Sequence, residues 1–165
     1  MMPNPLQANF HSRKTNNTPR EFTVGGVQVD LYFFPGDDAL GHITEYVRSH
    51  ADHSAYFTFY AWSDQGLVDT LKVKWEGSAI DNEGTLTGFD IRGVLDSNFW
   101  INWLSASVDM TGTQASREST GNPNTRWAKP APVFFDAEDR KLHSRTMIID
   151  VCTDSDPTVI VVPPT

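Results

Sequence analysis

The residues with chemically useful side chains are concentrated in the segment 141–150, where a histidine, an arginine and an aspartate follow at short intervals. His143 and Arg145 are two residues apart, so on a β-strand their side chains point to the same side. A guanidinium in that position can hold a phosphate oxygen while the imidazole approaches phosphorus. Asp150 follows the apolar run 147–149 and can return to an imidazole, fixing its tautomer and stabilising its charged form. The spacing therefore indicates chemistry at a phosphate group.

The rest of the sequence alternates strand-like and helix-like stretches that must position this segment. Alternating apolar residues and aromatic runs predict strands, whereas apolar residues at spacings of three and four predict helices. Asp37 or Asp38 can cap the first helix, and Ser63-Asp64 can cap the second. The predicted strands are 27–34, 54–62, 89–96, 133–135, 141–151 and 158–162; the helical stripes cover 40–51 and 67–75, with a short aromatic helix at 99–104.

This order of elements predicts an α/β domain, a layered α/β/α sandwich around a mixed, largely parallel sheet. Residues 1–23 have no periodicity and are interpreted as a polar leader, so the domain covers 24–165. The polar stretch 76–88 is predicted to be a loop, and 110–132 a long loop of functional character. Ligands bind beyond the carboxyl ends of strands in open α/β sheets, which makes Asp96 a candidate substrate-binding residue, with a structural role as its alternative.

The motif and its strand context resemble the phospholipase D superfamily, whose signature is His-x-Lys-x-x-x-x-Asp. The aromatic strand 56–62 and the strand 91–96, Ile-Arg-Gly-Val-Leu-Asp, are similar to upstream strands of that family, and the resemblance covers about residues 24–162. It implies a hydrolase or transphosphatidylase that cleaves phosphodiesters of phospholipid or nucleic acid through a phosphohistidine, without a metal or other cofactor. By matching position His143 is the nucleophile or general acid, Arg145 clamps the phosphate, and Asp150 orients a histidine.

The sequence departs from the family pattern at three points. Arg145 replaces the usual lysine, which keeps the charge but exchanges a compact ammonium for a longer planar guanidinium. The serine and asparagine that usually follow the motif have no counterpart after 159–162. Only one copy of the motif is present, so a second must come from a homodimer partner or from sequence beyond Thr165. The alternative is an inactive binding or interaction module, in which His143 is structural, Arg145 forms a surface ion pair and Asp150 closes a turn.

The composition is that of a globular domain with an acidic balance. The chain has 165 residues, of which 39% are hydrophobic and 21% charged, and its net charge is -8. An acidic surface repels nucleic acid and anionic lipid at long range, although it leaves room for a local basic site. Together with the aromatic segment 99–104, this charge favours lipid over DNA as the substrate. No apolar run approaches the ~20 residues of a membrane span, and no secretory signal is visible near the N-terminus.

The remaining histidines and the single cysteine are predicted to be structural. Cys152 cannot form an internal disulfide and is interpreted as a small buried residue. His11, His42, His50 and His53 are predicted to be structural or solvated. Because no third ligand follows His50 and His53 at a metal-binding spacing, the sequence predicts no metal site.

Overall fold

The computed structural model describes residues 19–33, 37–60, 62–100, 106–112, 126–136, 142–151 and 157–162, without the side chains of Phe99 and Trp100. His11, Cys152 and the segment 113–125 of the predicted long loop lie outside these residues. The chain divides into two compact units, 1–42 and 43–165. The candidate site lies in the second unit.

The first unit contains an antiparallel hairpin of β1 (Glu21–Val24) and β2 (Val27–Asp30). Gly25-Gly26 forms its turn with φ values of 58° and 85°, and a two-residue turn of this kind needs positive φ at both positions. β1 begins inside the segment 1–23 that the sequence analysis interprets as a polar leader. The strand predicted at 27–34 is observed as β2 alone.

Two long helices are present as the apolar spacing predicts. α1 (Ala39–His50) begins directly after Asp38. α2 (Gln65–Glu76) is capped by Asp64, whose carboxylate accepts a hydrogen bond from the Leu67 amide at 2.8 Å, which confirms the predicted cap. Two shorter helical segments are α3 (Ser97–Trp100) and a 3-10 helix (Ser107–Thr111). α3 overlaps the start of the predicted aromatic helix, whose residues 101–105 lie outside the described part.

A five-stranded mixed sheet forms the centre of the second unit, in the order β7-β6-β3-β8-β9. The strands of this unit are β3 (Ser54–Phe59), β4 (Ala79–Ile80), β5 (Leu86–Thr87), β6 (Asp90–Leu95), β7 (Val133–Phe135), β8 (Arg145–Ile149) and β9 (Thr158–Val161). β4 and β5 pair separately as a short hairpin inside the segment predicted to be a loop. Strands of two residues are too short for their periodicity to be seen in the sequence.

The prediction of a largely parallel sheet is wrong. β3–β6 and β6–β7 are parallel, whereas β3–β8 and β8–β9 are antiparallel. Counting the two hairpins, antiparallel pairs outnumber parallel ones in the part of the chain that the structure describes. The cause lies in the short link 136–144. Parallel strands need a long crossover connection, and this link brings the chain back into the sheet at the edge where β7 leaves it.

α1, α2 and the 3-10 helix share one core with the same face of the sheet, so the expected α/β/α layering is not observed among the described residues. Alternate strand residues and the apolar stripes of the helices form a single core: Val47, Ala55, Phe57, Phe59, Leu67, Val68, Leu71, Trp75, Ile91, Leu95, Met147 and Ile149. The other face, here called the open face, borders an open depression of about 610 Å³ and includes Tyr56, Thr58, Val94, Phe134, Thr146 and Ile148. Phe134 on this face is 66% exposed. No helix among the described residues is long and apolar enough to cross a membrane.

Candidate functional site

The candidate site lies at the edge where the parallel strands β3, β6 and β7 end and the antiparallel strand β8 begins. Phe59, the last residue of β3, is paired with Arg145, the first residue of β8. The residues that follow each strand end therefore meet at this edge. The Tyr60 amide donates to the Ser144 carbonyl at 2.9 Å, and the Asp96 amide donates to the Phe59 carbonyl at 3.1 Å. We call this region the carboxyl-end edge; it is where open α/β sheets bind ligands.

His143 is exposed at the carboxyl-end edge, and its imidazole stacks on the ring of Tyr60. The ring centroids are 5.5 Å apart and the planes differ by 9°. Stacking restricts the imidazole to one plane and leaves its edge, where both nitrogens lie, outside the stack. Sequence reasoning missed Tyr60. Its position directly after an aromatic strand was the available signal, but nothing in the sequence pairs it with His143.

Asp96 holds the backbone that leads into His143. Its side chain is fully buried, and its two carboxylate oxygens accept hydrogen bonds from the Leu142 amide at 2.7 Å and the Asn98 amide at 2.9 Å. A buried carboxylate must be satisfied by donors, and backbone amides supply them here. The expected substrate-binding role of Asp96 stays a prediction, and these contacts are those of its structural alternative. Asp96 is at the predicted edge, but it fixes the chain beside His143 and does not face the solvent.

Arg145 is half-buried, two residues after His143, as the motif requires. β8 begins at Arg145, so His143 lies just before the strand and not within it. The strand predicted at 141–151 is thus observed in its central part only. The Arg145 carbonyl accepts a hydrogen bond from the Val162 amide at 2.9 Å, and the neighbouring Ser144 hydroxyl is bonded to the Thr58 hydroxyl. These contacts on both sides of β8 fix the backbone that carries the cation.

Asp150 lies at the opposite end of β8 and does not approach His143. Seven residues of extended chain separate them by about 23 Å. Asp150 accepts hydrogen bonds from three consecutive backbone amides at the start of β3: Asp52 at 2.9 Å, His53 at 2.7 Å and Ser54 at 2.9 Å. Within this chain the Asp150 carboxylate is therefore engaged at the other end of the sheet from His143, and its expected role in orienting a histidine stays a prediction.

The protonation of Asp150 follows from this environment. Burial alone would raise its pKa, but the three amide hydrogen bonds and the charge of His53 outweigh burial and hold the pKa below the ordinary value of 3.8. Asp150 also has a φ of 55°, a conformation that aspartate and asparagine tolerate better than most residues. The geometry is that of a turn residue which ties the end of β8 to the start of β3.

The other described histidines contact aromatic rings or lie exposed away from His143. His42 stacks on Tyr32 with ring centroids 4.5 Å apart, and His50 stacks on Tyr46 at 4.9 Å. His53 is exposed beside Asp150. Within the described ranges, no group of three or more histidine, cysteine, aspartate or glutamate side chains is arranged to hold a metal ion.

The chain was compared with protein-family models and with curated proteins. No family model matches the chain, and no curated protein matches it. The resemblance to the phospholipase D superfamily consequently rests on the motif from His143 to Asp150 and on the strands that precede it.

Proposed function

We propose that this chain is one half-unit of a phosphodiester-cleaving enzyme of the phospholipase D type, with that family's fold. The observation that carries the proposal is an exposed imidazole fixed at the carboxyl-end edge. The His143 ring is stacked on Tyr60, and Asp96 accepts a hydrogen bond from the amide of the preceding residue, Leu142. The cation of Arg145 follows two residues after His143. A nucleophile held in one orientation loses less entropy when it meets its substrate.

In the proposed reaction an imidazole nitrogen of His143 attacks phosphorus while the bond to the leaving oxygen breaks. Arg145 stabilises the charge that develops on the non-bridging oxygens, which is the role for which a guanidinium is well suited. The product of this step is a phosphohistidine. Water or another alcohol then attacks the same phosphorus and releases the imidazole. No metal or cofactor takes part, because the histidine itself is the nucleophile.

The leaving alkoxide must be protonated, and this requires a second acid. His143 cannot attack and protonate in the same step, and it is the only histidine that the described part of the chain places at the carboxyl-end edge. A second copy of the motif, from a partner chain or from further sequence, supplies this acid in the proposal. The exposure of His143 leaves the site accessible to such a partner.

The substrate class proposed is a phosphodiester of phospholipid in preference to nucleic acid. A net charge of -8 opposes the approach of a polyanion such as DNA, whose binding depends on the neutralisation of many phosphates. A phospholipid headgroup presents a single phosphodiester, for which one clamp residue, Arg145, is sufficient.

The test uses bis(p-nitrophenyl) phosphate, since p-nitrophenolate leaves without protonation and the first half-reaction then needs only one histidine. We expect a burst that approaches one nitrophenolate per chain, followed by slow turnover. His143→Ala should abolish the burst. His53→Ala, which removes an exposed histidine at the far end of the sheet, should leave it intact. Absence of a burst in the folded wild type would favour the inactive binding module instead.

A further inference from the structure

β9 is an edge strand of the five-stranded sheet, and on its outer side it pairs with no strand among the residues that the structure describes. β9 is the last strand in the order, and its inner side is paired with β8. The Val162 amide donates to the Arg145 carbonyl, so these two residues form a hydrogen-bonded pair. Bonded and non-bonded pairs alternate along an antiparallel ladder. The other bonded pairs of β9 with β8 are therefore Ile160 with Met147 and Thr158 with Ile149.

The groups that point outward from β9 therefore belong to Val159 and Val161. Each has an amide and a carbonyl directed away from β8, and no other described strand pairs with them. Their side chains are 60% and 67% exposed. The stretch 157–162 contains no charged residue, although charges and prolines are the usual protection of an edge strand.

Two prolines flank this stretch symmetrically in the sequence. Pro157 and Pro163 lie three residues on either side of Ile160, and neither has an amide hydrogen to donate. The outward donors in this window are thus those of Val159 and Val161. They are related to each other by a two-fold axis through Ile160.

We propose that β9 pairs with β9 of a second copy of this chain, antiparallel and centred on Ile160. In this register Val159 lies opposite Val161 of the other copy, so four hydrogen bonds form in two complete reciprocal pairs. A shift by two residues would also allow four hydrogen bonds, but it would bring prolines opposite valines in two half-bonded pairs and leave a single complete reciprocal pair. The edge is therefore complementary to itself, as a two-fold interface requires. The two open faces then join into one continuous surface.

This interface is separate from the catalytic proposal. Met147 lies opposite Ile160, and His143 is four residues further along β8, about 13 Å from the axis along the strand. The two copies run in opposite directions, so their His143 residues are displaced by at least about 26 Å. The β9 dimer does not join two histidines in one site, and its presence or absence is independent of phosphodiester cleavage.

The first experiment measures the molar mass of the full chain by light scattering across a concentration series. We expect a dimer that dissociates on dilution. Val161→Pro removes one outward amide per copy, hence two of the four hydrogen bonds, and should weaken the dimer about tenfold or more. Val161→Thr keeps the amide and the branched side chain, and should dimerise like the wild type. A monomer at every concentration, or a folded Val161→Pro that dimerises as tightly as Val161→Thr, would overturn the proposal.

The second experiment tests the register in a Cys152→Ser background, so that it does not depend on Val161→Pro being folded. Residues opposite each other in a non-bonded antiparallel pair have Cα atoms about 4.5 Å apart, within the range of a disulfide. Ile160→Cys should therefore cross-link two copies under oxidising conditions, whereas Val159→Cys should not. Cross-linking through Val159→Cys alone would reject the register centred on Ile160.

Discussion

At the scale of single residues, the candidate site depends on contacts to the ring face and to the preceding backbone of one exposed imidazole, that of His143. Tyr60 covers the face of His143, and Asp96 binds the amide that precedes it. Arg145 is at the first position of β8, where its carbonyl accepts from the Val162 amide and the preceding Ser144 carbonyl accepts from the Tyr60 amide. These contacts hold the imidazole of His143 and the backbone that carries Arg145, whereas Asp150 lies at the other end of β8.

Substitution of the cation separates charge from shape. Arg145→Lys keeps the positive charge and restores the family's usual residue, so we expect the burst rate with bis(p-nitrophenyl) phosphate to be equal to that of the wild type or higher. Arg145→Gln removes the charge and should slow the burst by about a hundredfold. Stopped-flow absorbance measures both rates. Equal rates for Arg145→Gln and the wild type would exclude Arg145 from the reaction.

Asp150 is expected to contribute to stability and not to the burst. Asp150→Asn tolerates the same positive φ but loses charge-assisted bonds to the 52–54 amides, at a cost of about 2 kcal/mol at neutral pH. Because the folded pKa is depressed, the ionised form stabilises the protein above pH 3.8, and this stabilisation is lost as the pH falls through the folded pKa.

Urea unfolding of wild type and Asp150→Asn at several pH values measures this difference. The two free energies of unfolding should converge below pH 3.8. A difference that persists unchanged into strong acid would show that Asp150 does not act through its charge.

At the scale of elements, the Phe57 ring of β3 lies directly over Gly93 of β6. A Cβ atom on Gly93 would lie 2.2 Å from the Phe57 ring, which is itself packed against Phe59 and Trp62. Gly93→Ala should therefore destabilise the fold by about 1–3 kcal/mol. Gly66→Ala is the matched control in α2, where the nearest atom is 3.6 Å away and helix propensity favours alanine by up to about 1 kcal/mol. Thermal unfolding of both variants should give shifts of opposite sign.

The link from β6 to the His143 segment runs through the Asp96 carboxylate. The Leu142 and Asn98 amides donate to different oxygens of Asp96, and Asp96→Asn replaces one of these oxygens by an NH2 donor, so one of the two amides loses its acceptor. We expect faster hydrogen exchange at Leu142 and a slower burst. Asp136→Asn perturbs a neighbouring carboxylate that accepts from the Ser97 amide, and should leave exchange at Leu142 unchanged. Unaltered exchange at Leu142 in Asp96→Asn would contradict the positioning role.

The sequence predicts elements well where the determinants are local. Asp64 caps α2 through a residue three positions away, and the apolar stripe of that helix repeats every three or four residues. The sequence does not predict the direction of β8, because β8 pairs antiparallel with β3, a strand that is distant in the sequence and meets it only in the folded chain. The contacts of Asp150 were unpredictable for the same reason, because its partner His53 is 97 positions away in the sequence.

At the scale of the whole molecule, one helical layer covers one face of the mixed sheet in the described part of the chain. The open face and the β9 edge remain accessible there, and Phe134, Val159 and Val161 are each at least 60% exposed. Exposed apolar surface of this kind commonly marks an interaction site. The proposed β9 dimer uses the edge strand, whereas the proposed reaction takes place at the carboxyl-end edge. The two proposals thus concern different margins of the same sheet.

The central claim is that His143 forms a covalent bond to phosphorus. The most direct measurement is mass spectrometry of the full chain, quenched during the burst with bis(p-nitrophenyl) phosphate and digested under conditions that preserve phosphoramidates. We predict one adduct, a p-nitrophenyl phosphoryl group on the imidazole of His143, and its loss in His143→Ala but not in His53→Ala. Phosphorus on another residue, or a burst without any adduct at His143, would contradict the account.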